Sequence, residues 1–375
     1  MVLIALIITL IYLILIGSFV FGFDKVKPFR LEDVPSQAKF SVVIAFRNEA
    51  ENLPSLLHTI NNLKYARQLF EVIFVDDASE DNSDEIIRNF KAENPTLDIK
   101  IIENERRTNS PKKDAITKAI KHAKNDWIIT TDADCLLPEY WLESFDEYIQ
   151  KSDAKCIVAP INYQVMLHFL DQFQLLDILS LQGATVGGFG IRKPFLCNGA
   201  NFAYQRELFH ELNGFKNNDT IASGDDIFLL EKAVNAHPNQ VHYLKCEQAI
   251  VKTKPQPTWA ALISQRKRWA AKTSAYNNWF GKLTGFIVLL MNAMIISSLT
   301  LGVFDLFDFR VLFYILVIKF SIDFLLIYKT ASFLGQKGFL RNYGLGFLIY
   351  PFFSVYIAFI SAFRGYKWKD RTYNK

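Results

Sequence analysis

Residues 127–135 read Trp-Ile-Ile-Thr-Thr-Asp-Ala-Asp-Cys, and the rest of the chain is organised around this stretch. The apolar run at its start predicts a short buried strand, and two carboxylates spaced i, i+2 follow it. In a parallel sheet the ligand lies beyond the carboxyl ends of the strands. Asp132 and Asp134 are therefore candidate ligands of one divalent cation, Mg²⁺ or Mn²⁺, because both ions prefer oxygen ligands. A strand-end turn with two solvated carboxylates is the structural alternative.

The composition indicates a protein with both soluble and membrane-associated parts. Half of the 375 residues are hydrophobic, 33 of them phenylalanine, and the mean hydropathy is +0.11, which is high for a wholly soluble protein. The net charge of +4 is too small to suggest nucleic-acid binding. Basic residues cluster beside the apolar segments, which favours contact with anionic membrane lipids instead.

The cysteines show no pattern of a metal site or a disulfide framework. The chain has four, with no C-x-x-C spacing, at positions Cys135, Cys156, Cys197 and Cys246. They predict isolated buried thiols in a reducing compartment, in keeping with a cytoplasmic location for the middle of the chain.

An apolar run at residues 2–22 is long enough to span a bilayer. It has neither a basic segment before it nor a clear cleavage site, so we predict a retained anchor over residues 1–23 rather than a signal peptide. Lys25, Lys27 and Arg30 follow the run. The positive-inside rule then places the next domain in the cytoplasm, on a multi-pass protein of the inner cell membrane.

Residues 283–363 contain three more candidate membrane segments, at 283–304, 311–328 and 344–363. If all three span, the basic tail at residues 364–375 lies outside, against the positive-inside rule. We therefore expect one segment to be interfacial or re-entrant, either 283–304 or 344–363. The second of these contains Pro351, a residue that interrupts the hydrogen bonds of a helix. Lys319 and Asp323 are spaced i, i+4 and are predicted to pair and hold helices together, with a direct role in binding substrate as the alternative.

Between the apolar ends, residues 38–275 predict a cytoplasmic α/β domain. Predicted strands alternate with predicted helices, which indicates a Rossmann-like, mostly parallel sheet with right-handed crossovers. An ordinary dinucleotide fold or a P-loop ATPase is disfavoured, since the sequence has neither G-x-G-x-x-G nor a Walker motif. The strands are expected at 40–45, 70–75, 99–102 and 127–131, and the helices at 51–63, 83–93 and 114–123.

The first two predicted strands also end in polar residues, on the edge where such a sheet presents its ligand crevice. Phe-Arg-Asn-Glu occupies residues 46–49, and Asp-Asp-Ala-Ser occupies residues 76–79. Asp76 or Asp77 could accept hydrogen bonds from a base or a ribose. A helix N-cap at Asp77 or Ser79 is the structural alternative.

Three later stretches contain further residues that could bind substrate or take part in catalysis. Small residues and amides at 197–203 permit close backbone approach to a sugar or an acceptor. Asp225 and Asp226 precede an apolar helix, where a carboxylate is either a cap or a general base.

The third of these stretches is Gln-Arg-Lys-Arg-Trp at residues 265–269. On a helix it places Gln265, Arg268 and Trp269 on one face, and a guanidinium with an indole suits a diphosphate and a ring. Arg266 and Lys267 fit lipid head groups.

Together these motifs resemble family 2 glycosyltransferases of the GT-A fold, in the membrane-anchored branch. The resemblance covers roughly residues 40–270. Several motifs in the right order are far more specific than any one of them. They are F-R-N-E-A at 46–50, V-D-D-A-S-E-D at 75–81, T-D-A-D at 131–134, N-G-A-N-F-A at 198–203, G-D-D at 224–226 and Q-R-K-R-W at 265–269.

The resemblance implies roles for individual residues. The implied nucleotide contacts are Arg47, Glu49, Asp76, Asp77 and Ser79. Asp132 is implied to lie nearer the ribose and diphosphate, and Asp134 to bind the metal. Asp226 is the implied catalytic base beside Asp225, where the family usually has Glu. Gln265, Arg268 and Trp269 close over the diphosphate and the acceptor end, and Asn198, Gly199 and Asn201 form an acceptor or sugar loop. Lys113 is an implied donor contact, although its loop lacks the family's glycine, and the family's proline before R-N-E is also missing.

The activity implied is inverting, metal-assisted transfer of a sugar from a nucleotide sugar, most commonly of uridine in this family, to a lipid-linked or cell-envelope glycan acceptor. A processive polysaccharide synthase of the cellulose, chitin or hyaluronan type is the alternative, although three or four candidate segments are few for a channel. A non-catalytic membrane scaffold is disfavoured because the D-x-D and the base are both present. Expected partners are the donor, the acceptor and membrane lipids, with no nucleic acid, and the sequence indicates no oligomeric state.

Overall fold

The structure is a computed structural model that describes residues 1–164, 168–218, 221, 223–273, 277–363, 366–368 and 371–373. The chain divides into two compact units. The sheet unit consists of Lys27–Gln164 and Cys197–Lys254. The helical unit consists of Met1–Val26, Val165–Leu196 and Pro255–Lys375.

The strands and helices alternate through the sheet unit, and helices dominate the helical unit. The strands are β1 Phe40–Phe46, β2 Phe70–Asp76, β3 Ile99–Glu103, β4 Trp127–Thr130, β5 Cys156–Val158, β6 Ile161–Tyr163, β7 Phe202–Gln205, β8 Val241–Tyr243, β9 Val251–Thr253, β10 Tyr366–Trp368 and β11 Arg371–Tyr373. The helices are α1 Val2–Lys25, α2 Leu53–Asn61, α3 Ser83–Glu93, α4 Pro111–His122, α5 Trp141–Gln150, α6 Phe169–Gly190, α7 Arg206–Glu211, α8 Asp225–Ala236, α9 Trp259–Thr273, α10 Trp279–Val303, α11 Phe309–Phe333 and α12 Tyr343–Phe363. Short 3₁₀ turns lie at Arg67–Leu69, Gly199–Asn201, Glu247–Ala249 and Lys337–Asn342.

A seven-stranded sheet in the order β3-β2-β1-β4-β7-β5-β8 forms the centre of the sheet unit. β1 pairs in parallel with β2 and β4, β2 with β3, and β5 with β8. β7 is antiparallel to both of its neighbours. The predicted α/β fold with a mostly parallel sheet is confirmed, and the antiparallel β7 is an addition that the sequence did not indicate.

The central strands β1 and β2 are buried along almost their whole length, as is typical of parallel strands. Six of the seven residues of β1 are buried. The four predicted strands agree with the structure to within one residue at each end, and α3 has the predicted bounds. α4 begins at Pro111, earlier than expected, because proline suits the first turn of a helix. Asp114 then accepts hydrogen bonds from the backbone N–H groups of Arg107 and Thr108, each at 2.9 Å.

Within the described residues, four helical segments of the helical unit are long and apolar enough to cross a membrane. They are Val2–Lys25, Trp279–Val303, Phe309–Phe333 and Lys337–Phe363, and they contain the predicted segments. α12 continues through Pro351 without interruption. The number of segments that span and the topology stay predictions.

The predicted domain at 38–275 does not coincide with the sheet unit, because α6 and α9 belong to the helical unit. α6 packs against α1 through glycines. A Cβ added at Gly187 would lie 2.5 Å from the carbonyl oxygen of Phe19, and one added at Gly190 would overlap the backbone of Gly22. Small residues let two helix backbones approach this closely in an apolar environment. α6 is therefore a packing partner of the apolar helices rather than part of the α/β layer.

The predicted pair Lys319 and Asp323 forms inside α11, with the ammonium nitrogen 2.5 Å from a carboxylate oxygen. Tyr12 of α1 donates a hydrogen bond to the other oxygen of Asp323 at 2.7 Å. Lys319 is 2% exposed. Because each polar group of this cluster has a partner, the cluster joins α1 to α11 as predicted.

The glycine contact gives a stability prediction. We expect Gly187→Ala to lower the stability of the helical unit by about 1–3 kcal/mol, because the new methyl group must push the backbone of α1 away. Gly17→Ala is the matched control, since a Cβ added at Gly17 of α1 meets nothing within 4 Å. Thermal unfolding in detergent micelles measures both variants. Equal melting temperatures would contradict the assigned packing.

Candidate active site

Two loops, residues 46–50 and 76–83, lie side by side at the carboxyl ends of β1 and β2. Asn48 and Ala78 both have a positive φ, of 51° and 58°. The N–H of Asn48 donates to the hydroxyl of Ser79 at 3.1 Å, and the N–H of Glu80 donates to the Asn48 amide oxygen at 2.8 Å. Reciprocal bonds of this kind hold two left-handed residues in place, so the loop pair has a fixed shape.

Arg47 and Glu49 both belong to this loop pair. The guanidinium of Arg47 donates to the carbonyl oxygens of Asp77 and Ala78 and forms an ion pair with Glu80 at 2.8 Å. The side chain of Glu49 accepts a hydrogen bond from the Asn52 amide at 2.7 Å. Arg47, in loop 46–50, therefore stabilises loop 76–83 through these contacts. This is in addition to the nucleotide contact that the resemblance implies.

Asp76 and Asp77 have different surroundings. One oxygen of Asp76 accepts hydrogen bonds from the N–H and the hydroxyl of Ser79, at 2.9 and 2.6 Å. Asp77 is buried, and one of its oxygens accepts from Asn104 at 2.8 Å and from Arg106 at 2.7 Å. The N-cap of α3 is Asn82, so the alternative that Asp77 or Ser79 caps that helix does not hold.

Arg106 and Asn104 were not among the predicted residues. Both follow the carboxyl end of β3, the third neighbouring strand, where the rule that located the other loops applies equally. Arg106 also donates to the backbone carbonyl of Asp77 at 2.9 Å. Its guanidinium thus fixes the orientation of a carboxylate that is proposed to recognise the nucleotide.

The D-x-D motif alternates between core and surface. Ala133 and Cys135 are 3% and 1% exposed, whereas Asp132 and Asp134 are half-buried. The two carboxylates therefore lie on the accessible side of the turn. Burial and the charges of Asp134 and Asp132 raise the pKa of the Cys135 thiol well above its usual value. The thiol is also buried, so the two accessible carboxylates are the metal ligands that this motif offers.

A lysine connects the D-x-D to the second acidic pair. The ammonium nitrogen of Lys112 lies 2.7 Å from an oxygen of Asp132 and 3.3 Å from an oxygen of Asp225. Burial alone would lower the pKa of Lys112, but the carboxylates of Asp132, Asp225 and Asp226 outweigh it and raise the pKa. Lys112 is therefore charged at neutral pH and offsets part of the carboxylate charge.

Asp225 and Asp226 lie in the first turn of α8, where the helix dipole favours negative charge. Gly224 precedes them with a φ of 86°, a conformation that suits glycine. Asp225 is buried and Asp226 is half-buried. One oxygen of Asp226 accepts a hydrogen bond from the N–H of Gly199 at 3.0 Å, and the other accepts from the N–H of Ile227 at 2.8 Å.

The turn around Gly199 completes this cluster. A Cβ added at Gly199 would lie 3.0 Å from an oxygen of Asp225 and 3.5 Å from the ammonium nitrogen of Lys112. The carbonyl oxygen of Gly199 accepts from the hydroxyl of Thr130, at the end of β4, at 2.7 Å. Asn198 accepts from the N–H of Ala200 at 2.9 Å. The structure thus brings the D-x-D, the second acidic pair and the Asn198 turn together.

Within the described part of the chain, no group of three or more His, Cys, Asp and Glu residues is arranged to hold a metal ion. The D-x-D supplies two accessible carboxylates, and such a pair fits Mg²⁺ or Mn²⁺, which commonly complete their coordination with waters and substrate phosphates. The donor set therefore fits a divalent cation that is bound together with a diphosphate.

Two of the predicted contact residues, Lys113 and Asn201, are buried and have protein partners. Lys113 is 2% exposed, and its ammonium donates to the carbonyl oxygens of Asn218 and Ile221, at 2.6 and 2.8 Å. Asn201 is fully buried, and its amide bonds to Pro160, Ala249 and Trp141. Lys113 is thus bonded to the backbone of Asn218 and Ile221, whereas its neighbour Lys112 contacts Asp132, and Asn201 is bonded to three other segments of the sheet unit.

The Gln265, Arg268 and Trp269 motif lies on α9 of the helical unit, a helix as predicted. Arg266 was expected to contact lipid head groups and is instead buried. Its guanidinium forms an ion pair with Asp177 of α6 at 2.6 Å, both side chains being 6% exposed, and lies 4.2 Å from the Trp269 ring centre. A carboxylate inside the apolar α6 requires a partner, and this explains the burial of Arg266.

The predicted basic tail lies outside what the structure describes in side-chain detail. Arg364, Lys369 and Lys375 fall outside the described residues, and so do the side chains of Lys367 and Arg371.

The mostly parallel α/β sheet with acidic residues at its strand ends agrees with the predicted GT-A fold. A family model described as "Glycosyl transferase family group 2" matches residues 127–356, more than half of the chain. A model described as "Glycosyl transferase family 2" matches residues 41–212. The chain belongs to glycosyl transferase family group 2, and the predicted family is confirmed.

Curated relatives and a solved structure are similar to this chain. A poly-beta-1,6-N-acetyl-D-glucosamine synthase of Staphylococcus epidermidis is 34% identical over 140 residues, which are 35% of this chain and 32% of the relative. The enzyme of the same name from Staphylococcus aureus strain COL is 28% identical over 180 residues, 45% of this chain and 41% of the relative. This chain thus matches well under half of the length of these relatives.

The solved structure is the mannosyltransferase PcManGT of Pyrobaculum calidifontis, in complex with GDP-Man and Mn²⁺. It covers 96% of both chains with a TM-score of 0.54 and 16% sequence identity. At this identity the likeness concerns the fold, and it agrees with the predicted one.

The buried ion pair gives a second prediction. We expect Asp177→Ala to destabilise the helical unit by about 3–5 kcal/mol, because it leaves the Arg266 guanidinium buried without its carboxylate. The double variant Asp177→Leu with Arg266→Met replaces both charges by apolar groups and should recover most of that stability. Thermal unfolding in detergent micelles compares them. A double variant that is no more stable than Asp177→Ala would contradict the charge argument.

Proposed function

We propose that the protein is an inverting, metal-assisted glycosyltransferase that moves a sugar from a nucleotide sugar to a lipid-linked or cell-envelope glycan acceptor at the inner membrane. The contact that supports this most directly is Lys112 between Asp132 and Asp225, which joins the D-x-D to the acidic pair of α8. The names of the curated relatives indicate N-acetylglucosamine, and the family resemblance implies uridine, so UDP-N-acetylglucosamine is the first donor to test.

The nucleotide would lie against the loop pair at the ends of β1 and β2. Its proposed contacts are Arg47, Glu49, Asp76, Asp77 and Ser79. The cross-linked loops support this role, because a rigid site loses little entropy when a ligand binds. Arg106 would act indirectly, by orienting the carboxylate of Asp77.

Asp132 and Asp134 would hold a divalent cation, Mg²⁺ or Mn²⁺. When bound, such a cation supplies positive charge that stabilises the leaving nucleoside diphosphate. Lys112 adds a second positive charge to the same place, and it replaces Lys113 as the proposed donor contact.

Asp226 would take the proton from the attacking hydroxyl of the acceptor. Its half-buried carboxylate is oriented by two backbone N–H groups, and it lies beside the Asn198 and Gly199 turn proposed to face the acceptor. Asp225 is more buried and faces Lys112, which suits it to charge balance rather than proton transfer. A single in-line displacement by the hydroxyl inverts the anomeric carbon, so an α-linked donor gives a β-linked product.

The helical unit would place this chemistry at the membrane. We propose that Gln265, Arg268 and Trp269 close over the diphosphate and the acceptor end. Lys25, Lys27 and Arg30 after α1 support a cytoplasmic location for the sheet unit. One of the C-terminal segments remains the proposed interfacial helix.

We expect Asp226→Asn to lower turnover by about 10²–10⁴-fold, because the amide cannot accept the proton of the acceptor hydroxyl. UDP binding should remain, since the amide keeps the size of the side chain. Asp153→Asn in the same unit is the control, because its carboxylate is 70% exposed. Release of UDP from UDP-N-acetylglucosamine in the presence of Mn²⁺ measures turnover. Near-normal turnover of Asp226→Asn, or a product with retained configuration, would contradict the assignment.

A processive polysaccharide synthase is the second candidate, and the observation that favours it is the polymer in the relatives' names. The four candidate membrane segments are few for a polymer channel in one chain, so we propose single transfer. Purified protein with radiolabelled donor should therefore yield a product extended by one sugar. A ladder of products would establish the processive alternative.

A further inference from the structure

We propose that Lys112 is a built-in competitor of the divalent cation, and that it makes cation binding at the D-x-D depend on the nucleotide. This inference rests on the proposed function, because it concerns the same cation and the same diphosphate. Lys112 would thereby make the nucleotide bind before or together with the cation, a role that neither the motifs nor the relatives indicate.

The geometry places the competition at one carboxylate. The ammonium nitrogen of Lys112 contacts an oxygen of Asp132 at 2.7 Å, within the distance of a charge-assisted hydrogen bond. A divalent cation bound by Asp132 would share this carboxylate with the ammonium, and two positive charges a few ångström apart repel each other. The half-buried position of Asp132 and the 21% exposure of the Lys112 side chain limit screening by solvent.

Lys112 has little freedom to leave the site through movement of its backbone. It lies in the first turn of α4, directly after Pro111. Its neighbour Lys113 is buried, donates to the carbonyl oxygens of Asn218 and Ile221 and lies over the Phe228 ring. The buried lysine fixes the start of the helix, so the ammonium of Lys112 can move only by rotation of its own side chain.

A diphosphate changes this balance because it brings negative charge to the same place. It attracts both the divalent cation and the ammonium, so that neither has to be neutralised by Asp132 alone. Cation and nucleotide should therefore bind cooperatively, and by linkage each should raise the affinity of the other by the same factor. The expected benefit is that the protein carries little cation at the D-x-D until the donor arrives.

A purely structural role of Lys112 makes a different prediction. If the ammonium only neutralised Asp225 and Asp132 for folding, its removal would lower thermal stability and leave the coupling between cation and nucleotide unchanged. Cation affinity measured with and without nucleotide therefore separates the two roles.

The test is a titration of the full chain in detergent micelles with Mn²⁺, in which electron paramagnetic resonance reports the free ion. For the wild-type protein we expect UDP to tighten Mn²⁺ binding by about tenfold or more. Lys112→Met should bind Mn²⁺ about tenfold more tightly than the wild type when UDP is absent, because the like charge has been removed. UDP should then tighten its binding by much less.

Three further variants control this comparison. Lys121→Met makes the same chemical change on the exposed face of α4 and should behave as the wild type. Lys112→Arg keeps the charge and should keep the dependence on UDP. Lys112→Gln is a second neutral variant in case Lys112→Met does not fold, as judged by circular dichroism and gel filtration.

Equal Mn²⁺ affinity of the wild type and the neutral variants without UDP would overturn the inference, and so would Lys112→Arg behaving as a neutral variant. Failure of the proposed function has a different signature, namely wild-type protein that does not bind UDP even in the presence of Mn²⁺.

Discussion

Mutual repulsion among carboxylates is the constraint on which the site depends. Asp132 from the end of β4 and Asp225 from the start of α8 both contact the ammonium of Lys112, and the charge of these carboxylates and of the neighbouring Asp226 has to be compensated. The ammonium of Lys112 does so directly, while the N-terminus of α8 and the N–H of Gly199 contribute partial positive charge. These carboxylates can therefore lie together only because Lys112, the N-terminus of α8 and the turn at Gly199 are beside them.

Buried polar side chains keep those parts in place. Thr130 links the end of β4 to the Gly199 turn, Asn201 ties the same turn to three other segments, and Lys113 fixes the start of α4. Each of these groups forms hydrogen bonds in the interior, where an unpaired polar group would be costly. The substitution of any of them would therefore act on the site through the positions of its neighbours rather than through a ligand.

The sequence predicts what depends on local pattern and misses what depends on distant partners. Apolar runs locate β1 to β4 to within a residue at each end, and polar strand ends locate the loops, because both follow from one stretch of chain. Which of Lys112 and Lys113 contacts Asp132 depends on distant partners, because Lys113 donates to the carbonyl oxygens of Asn218 and Ile221. The sequence suggests that Arg266 contacts lipid, because its partner Asp177 lies far away in the sequence.

The same dependence on distant partners explains why α6 belongs to the helical unit. Among apolar helices the hydrophobic effect gives little direction, so close glycine contacts and polar pairs decide which helices pack together. α6 has both, since Gly187 lies against the backbone of Phe19 in α1 and Asp177 pairs with Arg266 in α9. One helix thus connects the first apolar segment to the helix that contains Gln265, Arg268 and Trp269. The orientation of that motif is consequently set within the helical unit, by a carboxylate that the motif itself does not include.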